Sequence, residues 1–319
     1  MSRYAIEHTV FYNWSEAFVQ QKIVFVFLDG FGLGQNSPDN PVVTFGNQLF
    51  TDFFPELPDL NLNIKTESVT AIPLDAACGV PGIPQSATGQ TTLFTGINAA
   101  KEIGFHLPAF PNHGLVEIIH HENIHLKIKN LGRKPVFANA YSDHYFNYIK
   151  EKNRRFSVTT HCVFGADIPF LMIEDLLEGN ALCWDITREA FQKYKVIHSV
   201  PVINGKLAGK HLAGITNNND FVLFESFKTD LIGHKQDRVK AELFLAVLKD
   251  FFSALKKNIE PKTSIVICSD HGNFEDLSTG MHTTNPVGLY VFGPAAPFFH
   301  DVKNISEVTP RIVNVMSEE

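Results

Sequence analysis

The chain has 319 residues, 44% hydrophobic and 19% charged, a composition ordinary for a globular protein with a sizeable core and without any sign of disorder. Its net charge is −7 without any Lys/Arg block, so no nucleic-acid footprint is expected, and an anionic ligand needs locally supplied positive charge. Cys78, Cys162, Cys183 and Cys268 are scattered with no Cys-x-x-Cys pair, and no run approaches 18 apolar residues, which excludes a zinc ribbon, a disulfide framework and a membrane span. With no basic-then-apolar leader, the expectation is a cytoplasmic, reducing location, with neither nucleic acid nor membrane as partner. The length predicts a core with an inserted cap.

In chain order, residues 1–20 predict an amphipathic lead-in, a short helix packed on the core. Lys22 to Leu28 is an apolar run of strand length, ended by Asp29-Gly30. Asp29 taken alone serves equally well as a turn former. From Pro81 a Pro/Gly loop runs into a helix-compatible segment with Ser86 at its start, where Ser acts as an N-cap. A hydroxyl there also sits in the positive end of the helix dipole, which favours a phosphate bonded to it.

Residues 98–206 are rich in His, aromatic and amide side chains and predict an inserted cap. It has strand-like pieces at 135–141 and 157–163 and helices at 114–130 and 186–195. Of its arginines, Arg133, Arg154, Arg155 and Arg188, the adjacent Arg154 and Arg155 are candidates for reading a phosphate. Asp143-His144 is a possible cap contact.

The core resumes with the strand Asp220 to Glu225, followed by Asp230 and His234, four apart and therefore on one face of a helical turn. Arg238 to Lys256 predicts an amphipathic helix with Val239, Leu243, Ala246, Val247, Phe251 and Leu255 inward, crossing over to another strand of the same sheet. That strand, Ile265 to Ser269, ends in Asp270-His271-Gly272, where glycine permits a turn. His282 follows eleven residues after His271 and can fold back onto the same rim. Val287 to Phe292 predicts one more strand, and residues 305–315 a last helix. Open α/β sheets bind ligands at their strands' carboxyl ends, and three such ends here carry metal-type ligands.

Asp29, Ser86, Asp230-x-x-Gly-His234, Asp270-His271-Gly and His282 together resemble the alkaline phosphatase superfamily of binuclear metalloenzymes. Ser-Asp270-His271-Gly-Asn, His282-Thr-Thr-Asn-Pro-Val and Gln85-Ser86-Ala-Thr-Gly89 are most similar to its cofactor-independent phosphoglycerate mutase branch, here as a short-cap member. The resemblance implies an α/β fold: a three-layer α/β/α core over 1–97 and 207–319, with a small α+β cap over 98–206. It assigns Asp230, His234 and His282 to one metal, and Asp29, Asp270 and His271 to another, with Ser86 bridging toward the second as nucleophile.

Carboxylates mixed with imidazoles suit Mn²⁺ or Zn²⁺ better than Mg²⁺. Two such ions about 4 Å apart stabilise the entering and leaving oxygens of an in-line displacement. Two divalent ions balance three aspartates and an ionised Ser86, so a phosphate ester meets a neutral cluster. The implied activity is phosphatase or phosphomutase chemistry on a small phosphate ester through a phosphoserine. Phosphodiesterase, sulfatase and non-catalytic metal-binding relatives are the alternatives, although Ser86-Ala-Thr-Gly departs from the Cys/Ser-x-Pro-x-Arg of sulfatases.

Overall fold

Alternating residues of the apolar run Lys22–Leu28, strand β1, enter two different cores. Ile23, Phe25 and Phe27 join one apolar cluster, while Val24, Val26 and Leu28 join another. A strand feeding both faces must lie in the middle of a covered sheet. The computed structural model describes residues 21–45, 59–193 and 200–318, and the expected lead-in helix over 1–20 lies outside them.

The other strands are β2 (Ile64–Lys65), β3 (Val69–Leu74), β4 (Pro135–Phe137), β5 (Phe221–Ser226), β6 (Thr263–Cys268) and β7 (Val287–Phe292), in the spatial order β2-β3-β7-β6-β1-β5-β4. Strands β4, β5, β1 and β6 run parallel, whereas β7 is antiparallel to both β6 and β3. The parallel run sets the carboxyl ends of β6, β1 and β5 side by side.

One face is covered by the helices Gly205–Asn217 and Arg238–Asn258. The other is covered by Ser86–Thr95, His113–Glu122, Ile124–Asn130, Val158–Ala166 and Val308–Ser317. On that second face Phe94 meets Phe25 and Phe27 edge-on, with centroids 6.0 and 5.2 Å apart. The result is an α/β/α sandwich.

Several local expectations shift. Residues 157–163 form a helix, not a strand. The run Val-Thr-Thr-His-Cys-Val reads as β-prone, but Ser157 caps the segment by accepting from Thr160 N at 3.2 Å, and burial of Val158, Cys162 and Val163 overrides propensity. The helix expected over 114–130 is two, broken at Asn123, whose side chain caps the second by accepting from Leu126 N. The helix expected over 186–195 is described only as Glu189–Lys193. On Arg238–Asn258 the buried stripe runs through Ala241, Phe244, Leu245, Leu248, Phe251, Phe252 and Leu255, leaving Val239 and Leu243 exposed.

Within 98–206, β4 pairs with β5 in register from Pro135↔Phe221 to Phe137↔Leu223, and Ile119, Ile124, Ile128 and Val163 pack in the cluster that holds Phe25 and Phe27. A smaller cluster of Ile173, Leu176, Ala181, Cys183, Ala190 and Val200 stands beside it.

Candidate metal centre

Three parallel strands deliver the cluster. β1 ends in Asp29, β6 is followed by Asp270 and His271, and β5 leads into the short helix Lys228–Gly233, which carries Asp230 and is capped by His234. His282 lies in the β6–β7 connection, and Ser86 opens the helix Ser86–Thr95 after β3. The cap of that helix is Gln85, one residue earlier than expected, so Ser86 occupies its first turn.

These side chains converge. His271 Nε2 lies 3.1 Å from Ser86 Oγ, 3.2 Å from Asp29 Oδ1 and 3.5 Å from Asp270 Oδ2. Asp230 sits 3.2 Å from His234 Nε2 and 3.6 Å from His282 Nε2, and the two Nε2 atoms are 3.3 Å apart. The His271 ring stacks on His282 with centroids 3.7 Å apart, joining the two groups.

The imidazoles are aimed by the backbone. His234 Nδ1 contacts Gly280 O at 2.8 Å and His282 Nδ1 contacts Pro84 O at 3.2 Å. A carbonyl only accepts, so each Nδ1 carries a proton and each Nε2 faces the cluster, where on losing its own proton it offers the lone pair that a metal-binding histidine needs.

The electrostatics show how much negative charge is gathered. Burial, reinforced by Asp270, pushes Asp29 up to about 8, and burial with Asp230 raises Asp270 as well. At His271 burial opposes charge, yet the Asp270 and Asp29 carboxylates prevail and push it up to about 10. Asp230 is held below its ordinary value because hydrogen bonding to His234 and the nearby imidazoles outweigh its burial. The hydrogen bond to Asp230 raises His234 to about 9, while burial and the His271 charge lower His282 to about 4. Asp29 Oδ1 and Asp270 Oδ2 are buried and accept no hydrogen bond. Clustered aspartates, unsatisfied carboxylate oxygens and inward-facing imidazole Nε2 atoms fit divalent cations. Two groups meet metal-ligand spacing: Asp29 with Asp270 and His271, and Asp230 with His271 and His282.

Residues 187–318 match the family model described as Metalloenzyme: Metalloenzyme superfamily. Among solved structures, the cold-active alkaline phosphatase from the psychrophile Shewanella sp. is similar over 92% of this chain and 99% of its own, with 12% identity and a TM-score of 0.53. The fold is alkaline phosphatase-like. Ps i-CgsB is similar over 94% of this chain and 72% of its own at 14% identity and a TM-score of 0.53. The lipoteichoic acid synthase LtaP from Listeria monocytogenes is similar over 94% and 72% at 10% identity and a TM-score of 0.50. No curated protein matches the sequence. At these identities the structural likeness concerns the fold, and the likeness to the cofactor-independent phosphoglycerate mutase branch rests on motifs alone.

Around this cluster stand residues to which the sequence reading gave no role. Gln90 Nε2 donates to Asp29 Oδ2 at 3.2 Å, and Asn273 Nδ2 to Asp230 Oδ1 at 2.8 Å. Glu275 accepts from Gly32 N, Asn273 N, Asn285 Nδ2 and Thr283 Oγ1, tying together the loops that carry Asp29, Asp270 and His282. Glu225, on β5 opposite Phe27, accepts from Thr159 Oγ1 at 2.8 Å, and burial pushes it up to about 8. Its sequence signal was a carboxylate inside a buried strand.

Two glycines make the convergence possible. A Cβ on Gly89 would stand 2.8 Å from Asp270 O, so the Ser86 helix approaches the end of β6 only because residue 89 has no side chain. At Gly30, φ is +68°, and a Cβ would meet Asp230. The chain bends at residues 270–271 as expected, and Gly272, which is not in the left-handed region, leaves room for Thr283, with which it forms a β-bridge.

The cap candidates Asp143, Arg154 and Arg155 are all exposed. Asp143 is exposed in the first turn of Asp143–Glu151, where an acidic residue complements the helix dipole. Arg154 and Arg155 are exposed, with the Arg155 guanidinium 5.5 Å from the Phe110 ring centroid.

Proposed function

We propose that this protein is a metal-dependent phosphoryl-transfer enzyme, a phosphatase or phosphomutase acting on a small phosphate ester through a phosphoserine at Ser86. The observation that carries the reading is the position of Ser86 Oγ, 3.1 Å from the imidazole that joins two carboxylate-imidazole groups.

Asp230, His234 and His282 would hold one divalent ion, Mn²⁺ or Zn²⁺, and Asp29, Asp270 and His271 a second. Such ions supply the positive charge that makes a serine hydroxyl a competent nucleophile and neutralises phosphoryl oxygens. The chain's own contribution is alignment. The helix start holds Oγ beside His271, Gln90 and Asn273 fix the carboxylates, and backbone carbonyls fix two imidazoles. Ser86 Oγ attacks phosphorus as the ester P–O bond breaks and the alcohol leaves. Water, or a second substrate hydroxyl, then takes the phosphoryl group and frees Oγ.

A role for residues 98–206 as the part that reads the leaving group, and for Arg154, Arg155 and Asp143 within it, belongs to the same proposal. No described helix is long and apolar enough to cross a membrane. The four free cysteines support placement in a reducing compartment such as the cytoplasm.

The test is a panel of phosphate monoesters, phosphodiesters and sulfate esters given to protein loaded separately with Mn²⁺ and Zn²⁺. Monoester cleavage that disappears in Ser86→Ala upholds the reading. Cleavage of sulfate esters alone, or full activity of Ser86→Ala, removes it.

A further inference from the structure

We propose that Ile83, Phe105, Leu107, Phe110 and Met281 form an apolar rim around Ser86 that takes up the leaving group, so that the ester accepted there is one of an apolar alcohol, alkyl or aryl. This rests on the reading of Ser86 as phosphoryl acceptor and narrows it to a class of ester.

Three loops meet at the nucleophile. Residues 79–85 lead directly into Ser86. Residues 277–285 join them where His282 Nδ1 donates to Pro84 O at 3.2 Å, which leaves Met281 and Ile83 each one residue from that contact. Residues 104–112 are pinned on both sides of Ser86: His106 Nε2 contacts Val80 O at 3.1 Å, Leu107 N donates to Thr88 Oγ1 at 3.2 Å, and Thr88 N donates to Leu107 O at 3.4 Å. The Leu107 side chain packs on the cluster that holds Ala87. Pro84 and Thr88 each lie two residues from Ser86, and two residues of chain span at most about 7 Å, so the second and third loops are anchored beside the nucleophile.

These loops are apolar where they face water. Met281 is 64% exposed, Phe105 51%, Ile83 40% and Phe110 39%. In a chain that is 19% charged, residues 79–85, 104–112 and 277–285 contain no Asp, Glu, Lys or Arg. Exposed apolar side chains scattered singly need no explanation, but several gathered on the loops around one nucleophile mark a contact surface. Its outer limit is Phe110, whose ring faces the Arg155 guanidinium at 5.5 Å.

The occupant follows from the reaction. Displacement at phosphorus is in line, so the departing alcohol leaves opposite Ser86 Oγ. Beneath Ser86 lie the buried Asp29, Asp270 and His271, and the alcohol therefore points outward, past the three loops. Those loops offer it no ionic partner, whereas release of water from Ile83, Phe105 and Met281 favours an alkyl or aryl group. The backbone anchors hold the rim in place before substrate arrives, which lowers the ordering cost of binding.

The test is a series of methyl, propyl and hexyl phosphates given to metal-loaded protein, with 2-(2-hydroxyethoxy)ethyl phosphate as a polar match for the hexyl chain. The alcohols of the alkyl series are nearly equal in acidity, so differences report how the chain is bound. The expected result is a kcat/KM that rises about two- to fourfold with each methylene and exceeds that of the polar match at equal length. Ile83→Ser and Phe105→Ser are each expected to shrink the hexyl-to-methyl ratio. A flat series, a polar match equal to hexyl phosphate, or a ratio unchanged by both substitutions overturns the rim while leaving phosphoryl transfer standing. If no ester is cleaved, the proposed activity fails, and calorimetry with hexylphosphonate against methylphosphonate decides the rim separately. Tighter binding of the hexyl compound that either substitution weakens upholds the rim, and equal binding, or a preference that neither weakens, rejects it.

Discussion

Ser86 Oγ and His271 Nε2 lie 3.1 Å apart although 185 residues separate them in the chain. That contact requires the helix after β3 to press against the end of β6. The pairing of β1 with β6 brings Asp29 within ion-pair distance of the same imidazole, and Asp270 precedes it in the chain.

If the two imidazole-carboxylate groups each hold an ion, elemental analysis will find close to two divalent equivalents per chain. His234→Ala and His271→Ala will each bind less metal and lose about 100-fold or more in turnover, because each removes a ligand that nothing else replaces. Asn273→Ala, which only frees Asp230, will weaken metal binding by about 10- to 100-fold. Metal content unchanged in all three variants would contradict the assignment.

Gly89→Ala tests the close approach itself. The added methyl would stand 2.8 Å from Asp270 O, and a backbone atom cannot swing aside as a side-chain tip can. The Ser86 helix must shift, so the variant is expected to stay folded and lose about 100-fold in rate, as a displacement on the order of 1 Å in a reacting group does. Wild-type turnover in this variant would show that the spacing between Ser86 and β6 is not critical.

His125 tests the core. It is fully buried against Phe137 and Phe221, neither ring nitrogen has a partner, and burial lowers it to about 3. A depressed folded-state value means that the unfolded chain binds the proton more readily. Its contribution to stability is therefore complete above about 6.5 and is lost as the pH falls toward 3. His125→Phe is expected to resist acid better, by a few kcal/mol near pH 4, in denaturant titrations across that window. Identical acid profiles would mean that the ring is hydrated or paired in solution.

The strands and the convergence of side chains at their ends were readable because each of β1, β5 and β6 is an apolar run that ends abruptly in charged or metal-type residues, such as Asp29 and Asp270. The helix over 158–166 was not, because its β-branched residues carry the wrong local propensity and only the Ser157 cap and burial reverse it. The inward stripe of Arg238–Asn258 was misplaced for a related reason. Val239 and Leu243 keep helical spacing with Phe251, but the buried side of the helix is the one that carries Phe244 and Leu248. Gln90, Asn273 and Glu275 act through contacts across the fold or within loops, so no spacing pattern marks them. Glu225 is close to Thr159 only because β5 lies beside β1 and a helix of the 98–206 segment packs over it.

The most direct measurement is intact-mass and peptide mass spectrometry of metal-loaded protein acid-quenched during turnover of a phosphate ester. The account predicts one added phosphoryl group, located on the peptide containing Ser86 and absent from Ser86→Ala. Phosphate on a histidine, or steady turnover in the Ser86→Ala protein, would contradict it.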